Sequence, residues 1–332
     1  MAIAKYDVVG LGNAIVDVLS STDDAFLAEW NITKNAMNLI DEPRAEELTR
    51  VARDPIITSG GSGANTLVGI SSFGGKSGFI GKVASDPLGD QFREEIKTVD
   101  VAFDTPPLKT GPATARSIIF VNDDGARSMN TFLGASVEFS PEDVDEEMIR
   151  DAKLIYLEGY LFDKEAAKAA FVHAAEVARA ADREVSLTLS DSFCVDRHRA
   201  SFLHLIKGHV DVVFANEDEV LSLYETDDFD AAMMQLAADT KVAAVTRSEK
   251  GSVVIGAGDM IVAPAGAVDK VIDTTGAGDQ YAAGFLFGYT NGLPLETCAK
   301  LGHIAAGEVI SHFGPRPKTP YKQLAQAQGI LA

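Results

Sequence analysis

Cysteine is nearly absent from this chain: Cys194 and Cys298 are its two, and they stand far apart. That excludes a disulfide framework and any Cys-x-x-Cys redox or zinc motif, and makes a reducing compartment, the cytoplasm, the expected location. Histidine is also sparse, and His198, His204 and His209, spaced six and five apart, do not share a helix face, so they form no metal motif. No run of about 18 apolar residues occurs, which excludes a transmembrane helix. Lys5 and Asp7 stand where a signal peptide would be apolar. Positive charge is in short supply as well: 29 Lys plus Arg face 49 Asp plus Glu, a net charge of −20. So acidic a surface repels phosphate backbones and anionic lipid, so neither nucleic acid nor a membrane is an expected partner. An anionic substrate would need a locally positive site.

Two familiar nucleotide fingerprints are missing too. Gly10-Leu-Gly12-Asn13-Ala-Ile-Val-Asp17 begins like a dinucleotide loop, but Ile15 occupies the third glycine position and strand-like residues follow. Gly75-Lys76-Ser77 ends like a phosphate loop, but Ile70 stands where its first glycine belongs. The chain has no internal repeat, low-complexity tract or long linker.

What is present is globular: 332 residues, 46% hydrophobic and 23% charged, enough for one or two domains with a large core. Short apolar runs at residues 6–9, 154–157, 185–189, 210–214, 242–246 and 252–255 predict strands. The earlier runs are near-continuous, as for strands buried on both faces. Amphipathic stretches at 164–181 and 141–152, the second with Ser140 as cap, predict helices between them. The alternation implies an α/β fold with a mainly parallel sheet. Segments 14–40 and 105–132 break the rhythm and predict antiparallel hairpins, which can pair into a small second sheet.

The most informative stretch is Asp273-Thr-Thr-Gly276-Ala277-Gly278-Asp279, because a helical pattern follows it. Glycines at a helix N-terminus leave unpaired amides and a positive dipole end for a phosphate or a developing oxyanion. Asp279 falls in the first turn beside that anion site. A second cluster, Ser59-Gly60-Gly61-Ser62-Gly63-Ala64-Asn65, also leads into a helix, and Asn65 offers donors and acceptors to hydroxyls. Asn216 and Glu219 follow the 210–214 strand directly. They suit Mg²⁺ through waters, although on their own an N-cap with an acidic first turn is the plainer reading. Arg127, on the second hairpin segment, is either a cation brought over the site or a solvated charge.

Together these motifs resemble the ribokinase-like family of carbohydrate and nucleoside kinases. The 273–279 stretch looks like that family's C-terminal signature. The 60–65 glycine loop, the stretch from Gly74 through Gly81-Lys-Val to Asp86 and Gly89, and Asn216-x-x-Glu219 follow in the family's order. Gly10 to Asp17, Met37 to Asp41, Thr188 to Phe193 and Gly302 to Gly314 are most similar to its adenosine-phosphorylating members, with Ala14 where a proline is usual. The resemblance implies a large α/β domain of residues 1–13, 41–104 and 133–332, with 14–40 and 105–132 as a small β-sheet lid. It implies Asp279 as catalytic base and the amides of Gly276, Ala277 and Gly278 as anion hole, with Arg127 as a lid arginine over the phosphates. Asp17, Gly61 and Asn65 would hold ribose hydroxyls with Asn13 nearby, and Phe193, Tyr160 and Phe162 would form the base pocket. Asp191 and Ser192 depart from the family's residues before Phe193. The implied reaction moves the γ-phosphate of Mg·ATP to O5′ of a nucleoside, adenosine first, in purine salvage. A monovalent cation is a further possible component, and a monomer or homodimer the expected state. An aspartate of ordinary pKa, about 4, would suffice, because positioning dominates phosphoryl transfer. The alternatives are a kinase for ribose, fructose or keto-deoxygluconate, and a non-catalytic nucleoside binder.

Overall fold

The computed structural model describes residues 4–256 and 258–331. It is an α/β fold built on a large, mostly parallel sheet and a second, smaller one. The near-continuous apolar runs become central strands because helices cover both faces. Tyr6–Leu11 lies mid-sheet, parallel to Ala152–Glu158 on one side and Ser77–Ile80 on the other. Glu184–Thr188, Val212–Asn216 and Val242–Thr246 extend the parallel run. Ser252–Gly256 and Asp259–Ala263 then add antiparallel at that edge, and Val101–Ala102 closes the other. One face packs against Glu165–Ala180, Ser192–Gly208 and Glu217–Tyr224, the other against Ser62–Ser72, Pro87–Thr98, Ala277–Thr290 and Leu295–Val309. In Glu165–Ala180 the buried Ala167, Ala170, Phe171, Ala174 and Ala178 recur every three or four residues, forming one apolar stripe against the sheet.

The parallel strands share a direction, so their C-terminal ends gather Asn13, Glu158, Tyr160, Asp191 and Asn216 along one edge. Open α/β sheets bind ligands at that edge.

The small sheet runs Met37–Leu39, Arg127–Phe132, Ala115–Asn122, Ile15–Thr22, Ile56–Gly60. Segments 14–40 and 105–132 do pair with each other, but the first is not a hairpin. Helix Asp24–Glu29 separates its strands, and each runs parallel to a partner in the second segment. Residues 115–132 do form an antiparallel hairpin. The sheet also recruits Ile56–Gly60, antiparallel to Ile15–Thr22, from a stretch expected in the large domain. Its Ile57, opposite Val18, packs onto the apolar outer face of Val18, Ile118 and Phe120, which Ala45 and Leu48 of helix Glu42–Val51 cover.

Two other expectations need correction. Residues 141–152 form no single helix: Ser140 and Asp143 close a capping box around one 3₁₀ turn, and Asp145 then caps the separate helix Glu146–Arg150. Phe162 lines no base pocket. It is buried in the core beneath helices Glu165–Ala180 and Ser192–Gly208, stacked on Phe202 at 4.9 Å and tilted against Phe171. Phe162→Ala is therefore expected to cost about 3–5 kcal/mol in a urea melt, as for other buried aromatics, with no change in acceptor KM. Wild-type stability with a raised KM would return Phe162 to the pocket.

Candidate active site

Helix Ala277–Thr290 starts at Gly276, whose φ of 78° lies in the left-handed region. A β-carbon there would also fall 2.7 Å from Pro315, so two constraints demand glycine. Asp273 shapes the preceding turn, accepting from Thr275 N at 3.0 Å and Gly314 N at 2.9 Å. Ala277 N donates to Thr274 O at 3.2 Å, which removes it from the three amides expected to face an anion. The amides of Gly276 and Gly278 have no partner among the described residues and sit at the positive end of the helix dipole.

Asp279 lies in that first turn, partly exposed to the cleft. The second glycine cluster reaches it. Gly61, with φ of 93° and Asn13 O only 2.3 Å from a β-carbon built on it, starts helix Ser62–Ser72. Ser62 Oγ then donates to Asp279 Oδ1 at 2.7 Å and Asn65 Nδ2 to Oδ2 at 3.2 Å. Desolvation pushes Asp279 up to about 6 against these two bonds, so it is not the ordinary aspartate the sequence suggested. Asp17, buried on Ile15–Thr22, is also pushed up to about 6 by desolvation. Arg316 and Arg127 pull it down, and Asp279 opposes them. Asn13 is fully buried; its Nδ2 donates to Glu158 Oε1 at 2.8 Å, and its Oδ1 has no partner among the described residues.

Three of these groups escaped the sequence reading. Glu158 accepts from Gly63 N at 2.7 Å and Asn13 N at 3.3 Å, joining the two loops, and burial pushes it up to about 7. Its signal was a charge directly after an apolar strand. Ser62 lay inside a cluster valued for its glycines. Arg316 stands in an irregular Gly-Pro-Arg-Pro run with no periodicity to reveal it.

Arg127 is neither solvated nor free. Its Nη1 bonds the Asp273 carboxylate and the Thr275 hydroxyl, which latches the lid to the anion-binding turn. Its Nε and Nη2 are buried without partners among the described residues. Against the cost of burial, the bonds from Gly314 and Thr275 with the Arg127 charge hold Asp273 below the usual carboxylate range. Asn216 and Glu219 realise the capping alternative: Glu219 N donates to Asn216 Oδ1 at 2.8 Å, while Asn216 N and Nδ2 donate to the two Glu219 oxygens. Both oxygens of Glu219 are thus engaged, and burial pushes it up to about 7. Tyr160 stands at the edge, its hydroxyl donating to Ser190 O at 3.1 Å, with Asp191, Glu219 and Asp279 as charged neighbours. Phe193, 73% exposed, opens helix Ser192–Gly208.

The small sheet presents its second face to the cleft. Asp17 pairs with Ser117, Ser117 with Thr131 and Thr131 with Leu39, so the four project from one face. Ser117 and Thr131 hydroxyls bond at 2.9 Å, and beyond them the exposed Leu39 and Met37 end the row apolar. A carboxylate between two donors, unpaired amides and a nearby arginine suit proton acceptance from a hydroxyl next to an anionic group.

The pfkB family carbohydrate kinase profile matches residues 30–322. Two solved structures are similar over nearly the whole chain. A probable sugar kinase protein from Rhizobium etli CFN 42 has TM-score 0.93 and 50% identity, covering 99% of this chain and 100% of that one. The adenosine kinase from Sinorhizobium meliloti has TM-score 0.92 and 52% identity, covering 98% and 100%. A 5-dehydro-2-deoxygluconokinase from Geobacillus thermodenitrificans (strain NG80-2) is 28% identical over 269 residues, 76% of this chain and 78% of the relative.

Glu158 has a pH signature. With its folded pKa near 7 above the ordinary 4.5, the folded protein keeps a proton that the unfolded chain has released. Its stabilising contribution is complete below pH 4.5 and is lost as the pH rises through 7. In urea melts from pH 5 to 8, the stability of the wild type relative to Glu158→Gln is expected to fall by about 2–3 kcal/mol. A difference independent of pH would show that Glu158 titrates as an ordinary carboxylate.

Proposed function

The chain belongs to the pfkB family of carbohydrate kinases, and from that premise we propose that its acceptor is a nucleoside, adenosine first, phosphorylated on O5′. Kinases of this family are phosphotransferases acting on a hydroxyl of a sugar or nucleoside, with ATP and typically Mg²⁺.

The donor fits the residues present. The unpaired amides of Gly276 and Gly278 and the buried, unpartnered Nε and Nη2 of Arg127 suit a phosphoryl group. Magnesium supplies charge neutralisation when bound. Asn216 and Glu219, bonded to each other, would meet it through waters alone. Asp279 carries the chemistry in this reading: it aligns the acceptor hydroxyl and takes its proton late in a loose transition state. Asn13, Asp17, Gly61 and Asn65 would hold the remaining hydroxyls. The lid would exclude water, whose attack would waste ATP.

One observation carries the nucleoside reading. The lid face is polar at Asp17, Ser117 and Thr131 and apolar at Leu39 and Met37, matching ribose at one end and a flat base at the other. The exposed Phe193 and the half-buried Tyr160 add aromatic surface at the sheet edge. Resemblance to the Sinorhizobium adenosine kinase supports the same choice. A second reading, a sugar-acid kinase, is favoured by the unpartnered Nη2 of Arg316, a donor for a carboxylate, and by the Geobacillus relative.

kcat/KM for adenosine against ribose, fructose and keto-deoxygluconate under one set of conditions decides between them. Adenosine is expected to lead, and a free sugar or sugar acid ahead of it would overturn the nucleoside reading. Asp279→Asn is expected to lower kcat at least about 10²-fold with acceptor affinity changed only a few-fold, the range of a lost general base. Turnover above a tenth of wild type would reduce Asp279 to a helix-capping charge.

A further inference from the structure

Arg316 lies in no helix or strand, yet its segment is pinned on both sides. Glu308, near the end of helix Leu295–Val309, accepts from Lys318 N at 3.1 Å and Thr319 N at 2.7 Å, and meets His312 Nε2 at 3.2 Å. Gly314 N donates to Asp273, and Gln280 Nε2 to Pro315 O at 2.8 Å. The backbone is therefore fixed where Arg316 enters the cleft. There Nη1 donates to Ser59 Oγ at 2.7 Å and Nε to Asn65 Oδ1 at 3.2 Å.

The charged groups around it come from every neighbouring element. Asp17 faces it from Ile15–Thr22 and Glu95 from Pro87–Thr98. Arg127 of Arg127–Phe132 and Asp279 of Ala277–Thr290 both act on Asp17 as well. A guanidinium has donors only, so the Asn65 atom it meets must be the oxygen. That choice turns the Asn65 NH₂ toward Asp279 Oδ2. The reversed amide would set N–H against N–H on one side and oxygen against carboxylate on the other, losing both bonds.

We infer that Arg316 is a positioning residue of the acceptor site, fixing the amide of Asn65 so that it donates to Asp279 and balancing the charge of buried Asp17. This rests on Asp279 being the base. Without Arg316, Asn65 is free to turn, and Asp17 and Asp279 face each other with one fewer cation between lid and floor. Burial already raises both carboxylates, and Arg316 is among the charges that pull Asp17 down, so losing the cation moves the protonation of Asp17 to higher pH.

The test uses the full chain with Mg·ATP and adenosine, or the acceptor that leads the panel above, from pH 5 to 9. For Arg316→Met the acid limb of kcat/KM is expected to rise by about one pH unit, the low end of what a nearby opposite charge does to a carboxylate. The loss is then about fivefold near pH 6, approaches tenfold near pH 5 and shrinks toward pH 8, with the KM for ATP within about twofold. Arg316→Lys keeps the charge and loses the fork, so its acid limb stays in place while kcat falls. The double variant Asn65→Ala, Arg316→Met is expected to lose no more than the worse single variant, because the second acts through the first. An unmoved acid limb in Arg316→Met, or additive losses in the cycle, would overturn the inference. If Arg316→Met does not fold, the cycle is run on Arg316→Lys with the same criterion of non-additivity. A fully active Asp279→Asn would instead sink the reading of the base, which keeps the two failures apart.

Discussion

Everything at this site follows from one electrostatic constraint: Asp17, Glu158 and Asp279 meet in the cleft between two sheets, and each must find donors there. Burial pushes all three upward, and the surrounding architecture can be understood as the response. Glu158 is met by the amides of Asn13 and Gly63, so the first strand's loop and the glycine loop are tied to the same carboxylate. Asp279 is met by Ser62 and Asn65, one turn further along the same helix. Asp17 gets cations rather than hydrogen bonds, one from each side of the cleft. A helix, a turn and an irregular strap converge because like charges in a low dielectric tolerate no gap.

The lid is held by the same logic. Its outer face is sealed to its own helices by Val18, Ile118 and Phe120, which leaves the inner face polar near the reacting centre. What joins that face to the large domain at the catalytic end is Arg127 on Asp273 and Thr275. A buried ion pair adds little net stability once desolvation is counted, but breaking it is costly and its geometry is specific. The pair therefore registers the lid on the anion-binding turn more than it stabilises the fold. Asp273 shapes that turn and receives the latch with the same carboxylate, so lid position and turn geometry are coupled through one side chain.

The sequence made the large sheet legible, because buried parallel strands leave apolar runs and their connections leave amphipathic ones. It also exposed the glycine turns, since positive φ at Gly61 and Gly276 admits few other residues. It misjudged the lid, where Ile56–Gly60 is short, half-polar and paired with a distant strand, so nothing local marks its sheet. It misjudged Phe162 for a related reason: an aromatic after a strand reads the same whether it turns into the core or out to the cleft. Arg316 left no local mark and Glu158 only its place at a strand's end, because their partners lie between 95 and 257 residues away in sequence. Asn216 and Glu219 show the opposite limit. Both the metal and the capping readings were written in the same four residues; the side-chain bonds form the cap, and they leave the metal reading only contacts through water.

In the proposed reading, chemistry and acceptor choice lie in different parts of this chain. Asp279, the unpaired amides and the Asp273 turn belong to one segment, whose geometry is set by glycine sterics and helix packing. The surfaces an acceptor would meet beyond its reacting hydroxyl come from lid strands, where Ser117, Thr131, Met37 and Leu39 alternate with core residues and carry no structural duty in the large domain. Among the described residues, their side chains make no bond to the anion-binding turn, whereas moving Gly276 or Asp273 would disturb turn and latch together. A fold so divided keeps phosphoryl transfer while its acceptor changes, and its relatives accordingly bear both sugar-kinase and adenosine-kinase names. In the proposed reading, the acceptor is selected by the lid's inner face, by Tyr160 and Phe193 at the sheet edge, and by Asp17, whose charge Arg316 and Arg127 offset from opposite walls.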